Sequence, residues 1–458
     1  MIALCRESVY EHSRMLVKFA TNFRLEVNML VERTQYLRAL IKRQGNGRIK
    51  IVTGIRRCGK STLLLELFRN HLRASGVPAR NIITVELDSD IHEAYRDPRA
   101  LSSYLHEKVS NEQERYCVLL DEIQYAISKE ELRERDKPPA LYGVLNGLLH
   151  QKNVDVYVTG SNSKMLSGDI STKFRGRGDV VQIYPFSFRE FYSASKLDKY
   201  DAYNEYAMFG GMPYLLNLDA DEDKYNYLVQ LFDEIYLKDI EERYDIALPG
   251  TFRELTAALC SSIGSLTNAS KIARTLKTCK NVDVSPDTIG KYLRCLTDSF
   301  LFREAVRYDI KGKKYFSYPS KYYCTDIGLR NCRLGLRQQE ETHIMENILY
   351  NELVCRGYLV DVGSLALTEN DESGKRVQKN CEIDFIARKG SRIYYIQSAL
   401  SMDDPQKEKT ELRPLLKTND SFKKIVVSKS YGKSWLDEHG ILRINLIDFL
   451  LDENSLDR

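Results

Sequence analysis

The sequence predicts an α/β fold: a parallel-sheet domain, then a helical region, then a second α/β domain toward the C-terminus. Three observations lead there. Short β-branched or apolar runs alternate with helical patterns from Ile49 to Ile183, and each run ends in a polar or glycine-rich stretch, the usual pattern of a parallel sheet with its ligand at the strand ends. The first run leads into Gly54-Ile55-Arg56-Arg57-Cys58-Gly59-Lys60-Ser61-Thr62, and the third into Asp121-Glu122. Beyond Pro185 the texture turns aromatic and helical, and strand-like runs return around Glu382-Ile383-Asp384-Phe385-Ile386 and Ile393-Tyr394-Tyr395-Ile396.

Taken in order, residues 1–28 carry mixed charge with no period and read as an N-terminal extension ahead of Met29, where Leu30, Val31, Tyr36, Leu37, Leu40 and Ile41 open a helical pattern. Gly45-Asn46-Gly47 breaks it. The spacing then predicts a strand at Ile49–Thr53, a glycine-bounded loop and a helix at Thr62–His71. Further strands are expected at Asn81–Leu87, Tyr116–Leu120, Val154–Thr159 and Asp179–Ile183, and helices from Phe188 to about Arg243. Asn268–Leu276 and Pro286–Leu296 read as helix, turn, helix, with Ser285 as N-cap and Pro286 at the first helical position, and the basic hairpin Lys311-Gly312-Lys313-Lys314 follows. The expected domains are 29–195, 196–335 and 336–458.

Composition narrows the class. The chain has 458 residues, enough for about three domains at ~150 residues each. It is 43% apolar and 29% charged, a globular balance, and 68 Lys and Arg against 64 Asp and Glu give only +4, so a nucleic-acid surface must be local. The ten cysteines are scattered with no CxxC pair and no histidine spacing for zinc, as expected of reduced thiols in a cytoplasmic protein. No apolar stretch approaches the roughly 18 to 20 residues of a spanning helix, and Arg6, Glu7, Glu11 and Arg14 interrupt any signal-peptide core.

The segment from Gly54 to Thr62 is a full G-x-x-x-x-G-K-S between a predicted strand and a predicted helix. Gly54 and Gly59 let the backbone wrap phosphates, and the following helix N-terminus favours an anion. Lys60 then reaches the β- and γ-phosphates, and Ser61 holds Mg²⁺. Asp121 and Glu122 close an apolar strand, where one carboxylate orients the metal and the other polarises an attacking water, so hydrolysis is expected with Asp121 on the metal and Glu122 as base.

These residues resemble the AAA+ ATPase superfamily, specifically a bacterial and archaeal group of ATPases. The shared motifs are the phosphate loop, Leu120-Asp121-Glu122-Ile123-Gln124, Thr159-Gly160-Ser161-Asn162-Ser163, Gly176-Arg177, Phe186-Ser187-Phe188-Arg189-Glu190-Phe191 and Gly210-Gly211-Met212-Pro213. The resemblance implies ATP as the nucleotide, Asn162 as a polar sensor of the γ-phosphate, and Arg175 or Arg177 as an arginine finger for a neighbouring subunit, hence a homo-oligomer. It also implies a winged-helix-like module in the middle region. Lys291 and Arg294 would face duplex DNA there, with Lys313 and Lys314 on phosphates.

The last part looks like the restriction-endonuclease-like fold. Glu346 or Glu352 supplies the helix acid and Asp384 the strand acid, but the expected Glu-x-Lys reads Gln397-Ser398-Ala399. Gln397 cannot supply the carboxylate that Mg²⁺ needs and Ala399 has no ammonium, so a degenerate binding domain is expected rather than a nuclease. Three functions follow: a DNA-coupled ATPase, a nucleotide-controlled protein-interaction switch with low turnover, and an ATP-regulated nuclease.

Overall fold

The computed structural model describes residues 31–128, 130–131, 138–161, 177–370, 376–402, 404–430 and 432–458. Residues 1–28, Asn162 and Arg175 lie outside them. Arg33–Arg458 form one compact unit.

Helix α1 (Thr34–Lys42) precedes β1 (Ile49–Thr53), after which α2 starts as a wide-turned stretch, Thr62–Phe68, and continues through Arg69–Ala74. Then come β2 (Ile82–Glu86), α3 (Pro98–Lys108), β3 (Tyr116–Asp121), α4 (Ala140–Leu149), β4 (Val154–Gly160) and β5 (Gly178–Gln182). Among the described residues these strands make a five-stranded sheet in the order β2-β3-β4-β1-β5, parallel at every pairing. All five residues of β1 and all six of β3 are buried, because helices cover both faces, and this is why these strands read as apolar runs rather than alternating ones. Ile51, Val118, Leu120, Val156 and Val158 pack with Leu101, Leu105, Leu141, Leu145 and Leu148 in one core. Since β1 lies between β4 and β5 and not beside β2, the loop after β1 opens next to the ends of β4 and β3.

The middle of the chain is helical: α5 (Phe188–Ala194), α6 (Lys199–Phe209), α7 (Asp221–Gln230) running through Leu231–Leu237 into α8 (Lys238–Arg243), then α9 (Pro249–Ser261), α10 (Ala269–Lys280) and α11 (Pro286–Asp298). Ser187 and Glu190 form a reciprocal capping box on α5, and Ser285 caps α11 through Thr288 N, with Pro286 inside the first turn.

The rest is a mixed sheet. Strands β6 (Phe302–Asp309) and β7 (Lys314–Cys324) precede α12 (Ile327–Arg333) and α13 (Glu341–Cys355); β8 (Leu359–Asn370), β9 (Arg376–Lys389), β10 (Arg392–Ala399), α14 (Pro405–Leu416), β11 (Lys423–Ser428), β12 (Trp435–Leu436), β13 (Leu442–Asn445) and α15 (Leu446–Leu451) follow. The eight strands run β12-β13-β11-β10-β9-β8-β6-β7. The hairpin that carries Lys313 and Lys314 is therefore part of the C-terminal sheet, because β6 pairs in parallel with β8 from Arg307↔Val362 to Asp309↔Ser364. Backbone hydrogen bonding thus continues across residue 335, where the sequence suggested a domain boundary. Of the long β8–β9 ribbon, the sequence reading marks only the run Glu382–Ile386 within β9. Residues 376–380 of β9 are all exposed, so they show no burial period to detect.

Among the described residues no helix is long and apolar enough to cross a membrane.

Candidate functional site

The loop after β1 has the backbone of a phosphate cradle. Gly54 has φ 154°, and a Cβ there would stand 2.3 Å from the Ile183 carbonyl oxygen; Gly59 has φ 96°. Arg57, between them, sits in the left-handed region at φ 62°. A side chain at Gly54 would have to displace β5, so the tight turn requires glycine there. Helix α2 starts directly behind the loop, with Leu63 N donating to Gly59 O at 3.0 Å.

Four residues meet where β1, β3 and β4 end. Lys60, 3% exposed, places Nζ 3.4 Å from Glu122 Oε1. Asp121 accepts from Thr159 Oγ1 at 2.5 Å, and Glu122 N donates to the same hydroxyl at 2.8 Å. Glu122 itself is left-handed, φ 49°, which turns its side chain away from the line of the strand. Burial pushes the Asp121 carboxyl up to about 6 against the pull of hydrogen bonds from Thr159 and Ser61. Burial also pulls Glu122 upward, but Lys60, Gln124 and Arg56 outweigh it and hold this carboxyl below its ordinary value. A buried Asp beside a serine hydroxyl suits a hard divalent cation, and a charged Glu suits a base.

Residues outside the loop hold it in place. Arg33, 4% exposed and just ahead of α1, donates to Cys58 O at 3.1 Å and Tyr184 O at 2.6 Å and pairs with Glu190 at 3.0 Å. Tyr236 donates to Arg56 O at 2.8 Å, and Asp239 of α8 stands 3.3 Å from the Arg56 guanidinium. None of these is legible in sequence, since each is a single polar residue far from Gly54 along the chain.

Residues 46–192 match the protein-family model described as an AAA domain, and residues 200–340 match a domain of unknown function. An uncharacterized protein of Haemophilus influenzae is 34% identical over 429 residues, covering 92% of this chain and 99% of its own. This chain belongs to that protein's family. A second relative, the uncharacterized protein MJ1544 of Methanocaldococcus jannaschii, is 26% identical over 383 residues, with 79% of this chain and 77% of its own covered. Among solved structures, the Aeropyrum pernix ORC1 protein in complex with DNA is 15% identical, covers 66% of this chain and 92% of that one, and has a TM-score of 0.30.

The remaining sequence-named residues fall in several places. Ile55, Arg56, Arg57, Cys58, Ser61 and Thr62 lie on the loop and first turn of α2 with Lys60. Arg177 is exposed just before β5, its carbonyl accepting from Ile49 N at 2.9 Å. Lys291 and Arg294 are exposed on α11, and Lys313 and Lys314 are exposed at the hairpin tip.

In the C-terminal sheet, Asp384 and Gln397 are neighbours: Asp384 N donates to Gln397 Oε1 at 3.4 Å, and Asp384 Oδ2 accepts from Ser398 N at 2.8 Å. Glu346, not Glu352, joins them. Glu352 faces the other way and pairs with Arg356 at 2.6 Å. Between the acids lies Lys321 of β7, which sequence reading overlooked; its Nζ is 2.8 Å from Glu346, 2.7 Å from Glu382 and 3.8 Å from Asp384. Burial and the neighbouring Glu346 raise the Asp384 carboxyl well above its ordinary value, while the three carboxylates overcome the burial of Lys321 and raise it too.

Proposed function

We propose that this protein binds ATP with Mg²⁺ at the phosphate loop and hydrolyses it, and that turnover is coupled to duplex DNA. The observation that carries the first part is the meeting of Lys60, Ser61, Asp121 and Glu122 at the strand ends beside a cradle only glycine can form. Bound Mg²⁺·ATP supplies a polarised terminal phosphoryl group. Lys60 and the loop N–H groups hold the phosphates, Ser61 and Asp121 would hold the cation, and Glu122 takes the proton of the attacking water. Its lowered carboxyl is charged at neutral pH, the form that accepts a proton. Asn162 as sensor and Arg175 or Arg177 as a finger toward a neighbouring subunit complete this reading.

The DNA part draws support from exposed cations: Lys271 and Arg274 on α10, Lys291 and Arg294 on α11, and Lys313 and Lys314 on the hairpin. This arrangement fits a winged-helix-like module. The C-terminal domain is read as a nuclease-like fold that holds rather than cuts, since Gln397 and Ala399 stand at the positions that would need Glu and Lys, and the protein is read as cytoplasmic.

The test is ATP hydrolysis by the wild type and Glu122→Gln, each with and without duplex DNA. Turnover that Glu122→Gln abolishes and DNA accelerates supports both parts. Binding of ATP without Glu122-dependent turnover in either condition sinks the hydrolysis claim and favours the nucleotide-controlled switch.

A further inference from the structure

A phosphate cradle works when its N–H groups face the anion and its carbonyl oxygens do not. A carbonyl turned inward repels the phosphate, and one turned outward needs a donor if it is buried. Three carbonyls of this loop have side-chain donors. Ile55 O accepts from Lys60 Nζ at 3.3 Å, Arg56 O from Tyr236 Oη at 2.8 Å, and Cys58 O from Arg33 at 3.1 Å. The first donor belongs to the loop itself. The other two lie before and after the segment that matches the AAA domain, residues 46–192.

We propose that Arg33 and Tyr236 are positioning residues of the phosphate loop, holding the carbonyls of Cys58 and Arg56 out of the cradle so that its N–H groups face a nucleotide's phosphates. This rests on the nucleotide reading above. The loop needs such anchors because Arg57, a residue with a side chain, is held in the left-handed region between Gly54 and Gly59, a conformation that persists only where the surroundings fix it. Both donors are themselves fixed. Arg33 is tied to Glu190 at 3.0 Å and to Tyr184 O at 2.6 Å, and its guanidinium stacks 4.7 Å from the Tyr36 ring and 5.0 Å from the Phe186 ring. Tyr236 is 4% exposed, and burial raises its phenol far above the ordinary value, so the hydroxyl stays a donor. Met212 Sδ lies 4.0 Å from that hydroxyl, and Pro213 Cγ is 3.9 Å from where a Gly59 Cβ would be, so the Gly210-Gly211-Met212-Pro213 segment backs the same loop. Tyr236 sits three residues before Asp239, which holds the Arg56 side chain, so the helical middle region grips one loop residue by both its backbone and its side chain. A shift of that helix releases both contacts together, which makes nucleotide affinity depend on the middle region.

The experiment titrates the full chain with a fluorescent N-methylanthraniloyl ATP and Mg²⁺, and follows thermal unfolding without nucleotide. Tyr236→Phe keeps the ring and removes only the donor; Arg33→Lys keeps the charge but not the fork that spans two carbonyls. Tyr395→Phe is the control, because it removes a buried hydroxyl bonded to Asp420 at 2.9 Å in the C-terminal sheet, far along the chain from the loop. The expected result is a dissociation constant raised at least fivefold in Tyr236→Phe and Arg33→Lys and unchanged in Tyr395→Phe, with comparable losses of melting temperature in the two Tyr→Phe variants. Wild-type binding that both loop variants leave within twofold overturns the inference while the nucleotide reading stands. Equal weakening in Tyr395→Phe assigns the effect to stability and overturns it as well. Absence of binding by the wild type overturns the nucleotide reading and this inference with it.

Discussion

The hydroxyl of Thr159 donates to Asp121 at 2.5 Å across two neighbouring strands and, as an acceptor, takes Glu122 N at 2.8 Å. One side chain at the end of β4 therefore fixes both acidic positions at the end of β3. Thr159→Val keeps the shape and removes both bonds, leaving the buried Asp121 carboxyl with the Ser61 hydroxyl alone and the Glu122 N–H without its acceptor. We expect a stability loss of about 1–3 kcal/mol by urea unfolding, and ATP turnover reduced by about tenfold to hundredfold as the two carboxylates lose their fixed separation. Full turnover in a folded Thr159→Val protein would count against the assigned roles of Asp121 and Glu122.

Lys321 tests the C-terminal sheet. Its ammonium lies among Glu346, Glu382 and Asp384, and Tyr323 Oη donates to Glu346 at 2.6 Å. Lys321→Met removes the cation and leaves the acids, so destabilisation of roughly 3–5 kcal/mol is expected, as for any broken buried pair. Tyr323→Phe should cost about 1 kcal/mol. Urea unfolding of the two variants checks the order; a Lys321→Met protein as stable as the wild type would mean the acids discharge without it.

Asp326 gives a pH dependence. It is 3% exposed, accepts Gly211 N at 2.7 Å and Leu329 N at 3.2 Å, and burial pushes its carboxyl up to about 6 from an ordinary 3.8. The folded protein thus holds this proton more tightly than the unfolded chain. The stability it contributes is complete below about pH 4 and disappears as pH rises through about 6. Asp326→Asn has no such proton. The wild type's advantage over the variant should therefore be larger at pH 5 than at pH 7.5, by about 1 kcal/mol or more. A gap that stays flat between those pH values contradicts the assigned shift.

Two glycine substitutions should go opposite ways. A Cβ on Gly328 would stand 1.7 Å from Phe209 O, backbone against backbone, whereas one on Gly143 in α4 meets nothing within 4 Å. Gly328→Ala should lower the melting temperature sharply. Gly143→Ala should raise stability by about 0.5–1 kcal/mol through helix propensity. Thermal unfolding of both settles it, and a neutral Gly328→Ala would show that α12 can move off α6 at little cost.

For the DNA part, Lys313→Ala and Lys314→Ala should weaken duplex binding for all sequences alike, each reducing the salt slope of log affinity by about 1. An unchanged slope would remove the hairpin from the contact surface.

Much of the fold was legible because it is local. Strands β1 and β3 announce themselves as apolar runs, since central strands of a parallel sheet covered on both faces bury every residue, and β4 does so except at Asp155. Ser285-Pro286 placed the start of α11 correctly because a cap and a fixed φ act within one turn. The extent of α2 and α10 was underestimated: α2 runs on through the buried Leu72 to Ala74, and α10 runs past Leu276 to Lys280, where exposed Lys277 and Lys280 give no periodic signal but do favour helix. The choice between Glu346 and Glu352 could not be made from sequence. The two lie six residues apart on α13, on faces that only the packing of β7 and α15 distinguishes.

What the sequence alone determined is the phosphate loop, its flanking strand and helix, and the acidic strand end, because bond geometry, glycine conformation and helix capping all operate over a few residues. Tertiary structure alone decided who holds that loop and who neutralises the C-terminal acids. Arg33 and Tyr236 reach it from far along the chain, and Lys321 meets Asp384 only because β6 pairs with β8 and carries β7 into the same sheet. Burial makes such pairings strong, since a polar group removed from water must find a partner, but which partner it finds depends on how the chain closes on itself.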